Sequence, residues 1–393
     1  MGMTAAAESD RYEIITDIAS LRALEADWQD LAARCPAHRF SQSFAWCLAT
    51  WDAVEAPQGH RLHAVVARNA GRLVLVWPSV IRRRFPAREA HILGTSFAEY
   101  PSVLVEDGPE ADRRIDTAWR LLRATSRCDI MAMHCVLAGT PLHRVLAAER
   151  RARVVEVIPT FAVAWDEHPT WDSYVRPRLA RHSRRHGGKS RRSKLEQRGK
   201  LAFEPVDEPA ACTALIAWTI SQKLAQLAKS GRRGPWLETT AYRDLLVAAA
   251  RGGSAAGRLV VFALTLDGRP IATHMTRVDR VRVEGINTVF DDAYAKYGPG
   301  QILTESCLHW AFEQGLEFDF LGFELPYKVF WANRKRDAFG YRFANSLWGA
   351  VYSGGRARLG QLKRGLWQGW RRRMKAVPGI SSPTQGAAQE KTP

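Results

Sequence analysis

"KYGPGQILTESCL", residues 296–308, joins a strand-like run to a helix-like one through Gly298-Pro299-Gly300. Apolar residues then recur at helical spacing over 301–314. Ile302, Leu303, Cys307, Leu308, Trp310 and Ala311 lie on or near one stripe, and Gly315 supplies the stop. The first N–H groups of a helix lack internal partners, and the helix dipole adds partial positive charge there. Glycine lets the backbone approach a ligand closely, proline presets the turn, and Lys296 adds a cation. This is the equipment of a phosphate cradle. A G-x-G before a helix is also the ordinary sequence of a tight turn, and the residues alone leave both readings open.

Upstream, 259–266 alternates (LVVFALTL), Asp267-Gly268 turns, 270–278 returns, and 281–290 makes a third strand. Downstream, Phe318–Phe323 reads as a core strand with Asp319 inside it. Helical patterns at 209–229 and 239–251 precede the meander. The first half follows the same order: helical patterns at 20–34 and 41–53, a hairpin over 62–81, a helix over 116–125 and a strand over 128–136. The chain therefore reads as α/β, with two domains of one kind in tandem. The expected boundaries are a degenerate first domain at 10–170, a basic linker helix at 171–200 and a catalytic domain at 201–352. A basic amphipathic helix is expected at 353–375 and a disordered tail at 376–393. Where the second half has its glycine loop, the first has "VEDGPEADRRIDTAW", with acids in place of a cradle. Only the second half is expected to hold an anionic cofactor.

The net charge of +17 is localised: residues 176–200 carry eleven Lys/Arg and one Glu, and 356–375 carry eight Lys/Arg and no acid. Those segments sum to +18, so the remainder is near −1. CoA phosphates, RNA and lipid head groups are the anionic partners such segments fit. In 356–375, Leu359, Leu362, Leu366 and Trp370 fall at helical spacing, the pattern of an interfacial helix on an anionic membrane. No apolar run reaches 18 residues, and the N-terminal stretch lacks a signal-peptide pattern, so a cytoplasmic protein is expected, peripheral to the membrane at most. The six cysteines lack a C-x-x-C pair and read as reduced core thiols. Zinc spacing, a G-x-S-x-G elbow and a P-loop in a strand–helix setting are all missing, so no metal is expected.

The order of the D-G hairpin, P-G-x-x-L at Pro299–Leu303, G-x-x-x-D-F at Gly315–Phe320 and E-x-x-Y-K at Glu324–Lys328 resembles the CelD-like, cellulose-biosynthesis-associated acetyltransferases of the GNAT superfamily. The likeness is good over about 178–335 and fainter over 20–170. It implies tandem GNAT-like domains, each with a mixed or antiparallel sheet flanked by helices. It also implies an acyl-CoA donor, acetyl-CoA in the first instance, and a hydroxyl or amine acceptor on a polysaccharide precursor, lipid or small metabolite. Fem-like relatives of that family use aminoacyl-tRNA, which makes such a transferase the alternative; a non-catalytic scaffold is the third reading. The superfamily's usual Gln or Arg before the glycine loop is Ala295 here, which leaves Lys296 or the basic linker to supply charge.

Acyl transfer needs an anion cradle, a donor for the thioester carbonyl and a base. The cradle is expected at Gly298, Gly300, Gln301 and Ile302 beside Lys296. The carbonyl donor is expected among the backbone N–H groups of Asn287, Thr288 and Val289, with Gly285 marking a bulge. For the base, Glu324 ranks above Asp319 because it lies past the strand end; Tyr327, Lys328 and His274 complete the candidate set. The competing reading of Asp319, Glu324 and Lys328 is an ion pair that pins the loop. His274 also reads as core packing, as do His309 and Cys307.

Overall fold

The computed structural model describes residues 9–95, 99–186, 191–253 and 257–355, without side chains for 181–186. The first half contributes β1 (Arg11–Ile15), β2 (Arg61–Leu62), β3 (Ala64–Asn69), β4 (Arg72–Trp77), β5 (Ser79–Arg84), β6 (Ala87–Ile92), β7 (Leu104–Val105), β8 (Ile130–Leu137) and β9 (Arg153–Val163). The second contributes β10 (Leu201–Val206), β11 (Gly257–Leu266), β12 (Arg269–Asp279), β13 (Arg282–Phe290), β14 (Glu317–Gly322) and β15 (Arg334–Ala344). The expected amphipathic helix and tail fall outside the described residues, except that 353–355 close a helix beginning at Leu347.

The fold is mixed α/β. One sheet of eleven strands runs β10-β11-β12-β13-β14-β9-β15-β8-β6-β5-β2, and a second of four runs β1-β3-β4-β7. The long sheet reads as two like halves meeting at its middle. In each, a meander strand pairs in parallel with the strand that follows a helix: β13 with β14, and β6 with β8. The halves then exchange their last strands. β9, from the first half, pairs with β14, while β15, from the second, lies between β9 and β8. Apolar anchors hold the exchange. Phe343 of β15 packs edge-on to Trp119 in the first-half core, and Phe161 and Val163 of β9 are buried in the second-half core. Each such ring contributes about 1.5–3 kcal/mol by leaving water.

Alternation along β11 divides two layers. Leu259 and Val261 face the helices Pro209–Lys229 and Thr240–Arg251; Val260, Phe262 and Leu264 face the helix Pro299–Glu313. The sheet thus carries helices on both faces, as a strand apolar on each side requires. The expected helix pairs, the Asp267-Gly268 turn and the three-strand meander all form close to the positions read from sequence.

The parallel contact is short in both halves. Beyond Glu89↔Ile130 and Ala90↔Met131, β6 and β8 are bridged by the imidazoles of His91 and His134, which stack at 5.5 Å and 6°. The first-half gap is therefore filled by its own side chains. Its helix Ala111–Thr125 also starts from Glu110, with Asp112 in the first turn.

Candidate active site

β13 and β14 pair only through Arg282↔Glu317, Val283↔Phe318 and Glu284↔Asp319, and then part. On the other edge of β13, partners jump from Thr276↔Gly285 to Met275↔Asn287, so Ile286 is the extra residue of a bulge. The bulge stands next to the glycine expected to mark it. Gly285 is required there by close approach: a Cβ would lie 2.6 Å from His274 Nε2. Asn287, Thr288 and Val289 continue past the bulge, paired with β12 on one side and no longer with β14 on the other. Their backbone therefore borders the opening between the strands.

At the near end of that opening, Gly298 takes φ 61° and ψ 49°, the left-handed conformation glycine adopts without strain, and caps the helix Pro299–Glu313. Gln301 and Ile302 direct their N–H groups to the Gly298 carbonyl at 3.0 and 3.3 Å. The cradle thus rests less on those two backbone groups than the sequence suggests. Side chains supply the charge instead. A Cβ on Gly298 would lie 2.9 Å from Arg191 Nη1, so the missing side chain is what admits this guanidinium to the helix start. Arg192 donates to Ser306 at 2.9 Å on the same helix, and Arg198 and Lys296 lie over the Tyr297 ring at 5.0 and 5.2 Å. The helix Arg191–Glu196, at the end of the basic linker, thus brings a guanidinium to Gly298.

Past the parting point, the end of β14 is strained. Leu321 and Phe323 have φ of 63° and 69°, and Tyr100, packed against Leu321, has φ 60°. Non-glycine residues in this region cost about 1–3 kcal/mol each and cluster at functional sites. The reversal turns Lys328 inward, where its ammonium donates to the Gly322 carbonyl. Glu99, from the first half, accepts the Gly322 N–H at 2.6 Å. Gly322 permits this because a Cβ would come within 3.1 Å of that carboxylate and 2.8 Å of Ile158.

Asp319 is buried in a network that joins the halves. Its Oδ2 accepts from Arg39 Nη1 at 3.2 Å, and its Oδ1 accepts the Leu321 N–H at 2.8 Å. Arg39 also bonds Glu284 and lies 4.7 Å from the Tyr100 ring centroid. Arg277 Nε stands 3.1 Å from Glu284 Oε2, an ion contact without hydrogen-bond alignment. Burial would raise the Glu284 carboxyl, but Arg277 and Arg39 hold it below the usual range. For Asp319 burial prevails over Arg39, and its carboxyl is raised. Burial lowers the Lys328 ammonium although Glu99 and Asp319 oppose the shift. Burial, then Glu99, pushes the Tyr327 phenol up to about 12, so it keeps its proton at neutral pH.

His274 is fully inside, its Nδ1 without a hydrogen-bond partner among the described residues; burial, then Lys328, lowers it to about 3. Burial likewise lowers His91 to about 4 and His134 to about 3, from an ordinary 6.5. In all three the unfolded chain takes up the proton first as pH falls. Stability present above pH 6.5 is therefore lost on acidification toward the folded values. By pH 5 the loss is about 2 kcal/mol per histidine. Asp279 offsets part of it, since burial raises its carboxyl to about 6 and the folded state gains from its protonation. Urea midpoints at pH 7 and pH 5 check this, with a clear fall expected at pH 5.

The structure thus gathers Asp319, Lys328, Tyr327 and His274 around the parting strands, with the Glu99 carboxylate among them. It does not bring Glu324 there. That carboxylate is 62% exposed and lies 4.0 Å from an equally exposed Lys335, because the left-handed turns at Leu321 and Phe323 send it to the surface. The expected Lys328 ion pair also changes partners: Asp319 pairs with Arg39, and Lys328 bonds a carbonyl. Cys307 is a fully buried thiol, and His309 lies tilted at 34° against Trp171, ring centroids 4.7 Å apart, outside the cluster. Sequence reading missed Arg39, Glu99, Arg191 and Glu284. Only Glu284 carried a visible signal, a carboxylate inside an apolar strand like Asp319.

Residues 182–329 match the family model described as an acetyltransferase (GNAT) domain. No curated protein matches the chain. Among solved structures, FemX is similar at TM-score 0.56 and 10% identity, covering 84% of this chain and 97% of that one. A tandem GNAT protein from the clavulanic acid biosynthesis pathway aligns at TM-score 0.49 and 14% identity, over 86% and 99% of the two chains. The C-terminal domain of a putative lysylphosphatidylglycerol synthetase from Agrobacterium fabrum aligns at TM-score 0.49 and 12% identity, over 86% and 96%. At such identities the FemX likeness speaks for the fold alone. The family match covers both the glycine-opened helix and the parted strands, and it makes this chain an acyltransferase with a GNAT-type acetyltransferase domain in its second half.

Proposed function

We propose that the chain transfers an acyl group, acetyl in the first instance, from acyl-CoA to a hydroxyl or amine on a polysaccharide precursor, lipid or small metabolite. The observation that carries this reading is the meeting of a Gly298-opened helix, the Arg191 guanidinium and the β13–β14 parting at one place. Arg191, Lys296 and the helix start would hold the diphosphate, and the backbone of 287–289 would border the pantetheine arm. The cosubstrate supplies a thioester carbonyl. A β13 N–H polarises that carbonyl, the Glu99 carboxylate takes the proton of the incoming nucleophile, and Tyr327, still protonated, donates to the departing sulfur. Lys328 offsets the negative charge gathered by Glu99 and Asp319. Asp319, engaged with Arg39, sets the shape of the strand end.

The motif order at Pro299–Leu303 and Glu324–Lys328 supports placing the domain near the CelD-like group. An aminoacyl-tRNA donor is the alternative that the basic linker allows, but Arg191 already lies against the helix start at Gly298, and Arg192 donates to Ser306 two turns further along. Native mass spectrometry of the purified chain tests the donor. Carried-over CoA or acyl-CoA, with thiol release from acetyl-CoA on adding acceptors, is the expected result. Copurifying tRNA without CoA would overturn it.

A further inference from the structure

Far along the sheet from the parted strands, the β5–β6 hairpin ends in Phe85, which is 85% exposed. Arg83 and Arg88 beside it are exposed, and Arg84 is half-buried. The helix of residues 347–355 is fixed next to this tip. Trp348 Nε1 donates to the Pro86 carbonyl at 3.2 Å, and Ser346 Oγ donates to Asp129 Oδ1 at 2.9 Å. Gly349 lies so close to the strand that a Cβ would stand 1.9 Å from the Asp129 carbonyl. The helix is thus seated against the sheet by its backbone, yet Leu347 is 89% and Val351 66% exposed, with Trp348 half-exposed. A chain that buries Trp28, Trp46, Trp77 and Trp119 completely leaves these large apolar side chains at a rigid edge, with Phe85 and Leu347 far more exposed than the half-exposed Val154, Val155 and Val157 of β9.

The charge of the two segments indicates their occupant. "RRFPAR" (83–88) and "NSLWGAVYSGG" (345–355) contain three arginines and no acid. The chain then continues directly into 356–375, with eight Lys/Arg and no acid. The nearest carboxylates, Glu89 and Asp129, are turned inward toward Arg84 and Arg88 at 4.0 and 3.6 Å, so the outer surface presents aromatic and aliphatic tips beside arginine, which match the boundary between head groups and acyl chains of an anionic bilayer. We propose that the β5–β6 tip and residues 347–355 form a docking face for an anionic lipid surface. Phe85, Leu347 and Val351 enter the boundary region, and the exposed Arg83 and Arg88 meet head-group phosphates. The acyltransferase is thereby held at a membrane by folded elements as well as by its basic tail.

The test is sedimentation of the full chain with phosphatidylglycerol vesicles and, separately, phosphatidylcholine vesicles. The wild-type chain is compared with a Phe85→Ser, Leu347→Ser, Val351→Ser variant. The tail is present in both proteins, so their difference reads the face alone. The variant should keep the wild-type melting temperature and bind phosphatidylglycerol at least about tenfold more weakly. If the triple variant melts early, Arg83→Glu, at an exposed position, takes its place and should weaken binding with a shallower salt dependence. Wild-type protein that ignores phosphatidylglycerol, or folded variants that bind it as tightly as wild type, would overturn the proposal. Loss of self-association or of RNA binding in the variants, with vesicle binding unchanged, would overturn it equally and reassign the face.

Discussion

Glu99→Gln should lower single-turnover acyl transfer by about 10²–10⁴-fold, the usual contribution of a positioned base. Melting temperature and CoA affinity should stay near wild type. The glutamine carbonyl can still accept the Gly322 N–H that Glu99 accepts at 2.6 Å, so the strand end keeps its anchor while the proton acceptor is lost. Glu324→Gln is the matched control. Its carboxylate is 62% exposed, and the change should leave turnover within a few-fold of wild type. Rapid-quench measurement of acetyl transfer on both variants distinguishes the positions. Equal losses, or a loss confined to Glu324→Gln, would remove Glu99 from the role proposed for it.

Arg39→Met should destabilise the fold by about 3–5 kcal/mol, the cost of leaving a buried ion pair half-formed. Arg39 is the cation that answers Asp319 and, with Arg277, Glu284; all four side chains are buried. Removing it strands Asp319 and leaves Glu284 with Arg277, a contact without hydrogen-bond alignment. Asp319→Asn in the same chain should recover part of the loss, because the remaining amide carries no charge. A double-mutant cycle on urea midpoints reads the coupling. Additive effects would mean that the network does not join Arg39 to Asp319.

Much of the second half was legible locally. The alternation of 259–266, the Asp267-Gly268 turn and the glycine-opened helix each carry their signal within a few residues. The strand exchange does not. Arg153–Val163 and Arg334–Ala344 carry no local mark of their destination, and which sheet each joins is decided by pairings such as Arg334↔Ala162, far apart in sequence. The same distance hid the ion network, since Arg39 and Asp319 are 280 positions apart. Ranking Glu324 first rested on a position that the structure does not give it, for a local reason that sequence does not display. The ranking assumed that the chain runs on past the strand end, but Leu321 and Phe323 take left-handed conformations and reverse it. Neither residue type favours that region, so only tertiary packing accounts for the turn. Arg191 was visible only as one of many charges in the linker, and its position over Gly298 depends on the packing of two helices.

Every role proposed for the parted strands depends on where the donor binds. Calorimetric titration with CoA should give one site per chain, because the first-half gap is filled by His91 and His134. Gly300→Glu sets a carboxylate at the helix start, where only the Phe290 ring, 3.3 Å from the new Cβ, needs to shift. Like charges at close range in a shielded site oppose each other by several kcal/mol as an order of magnitude. The folded Gly300→Glu chain should therefore show no measurable CoA binding, and Arg191→Glu should weaken it strongly. Undiminished affinity in a folded Gly300→Glu chain would contradict the site.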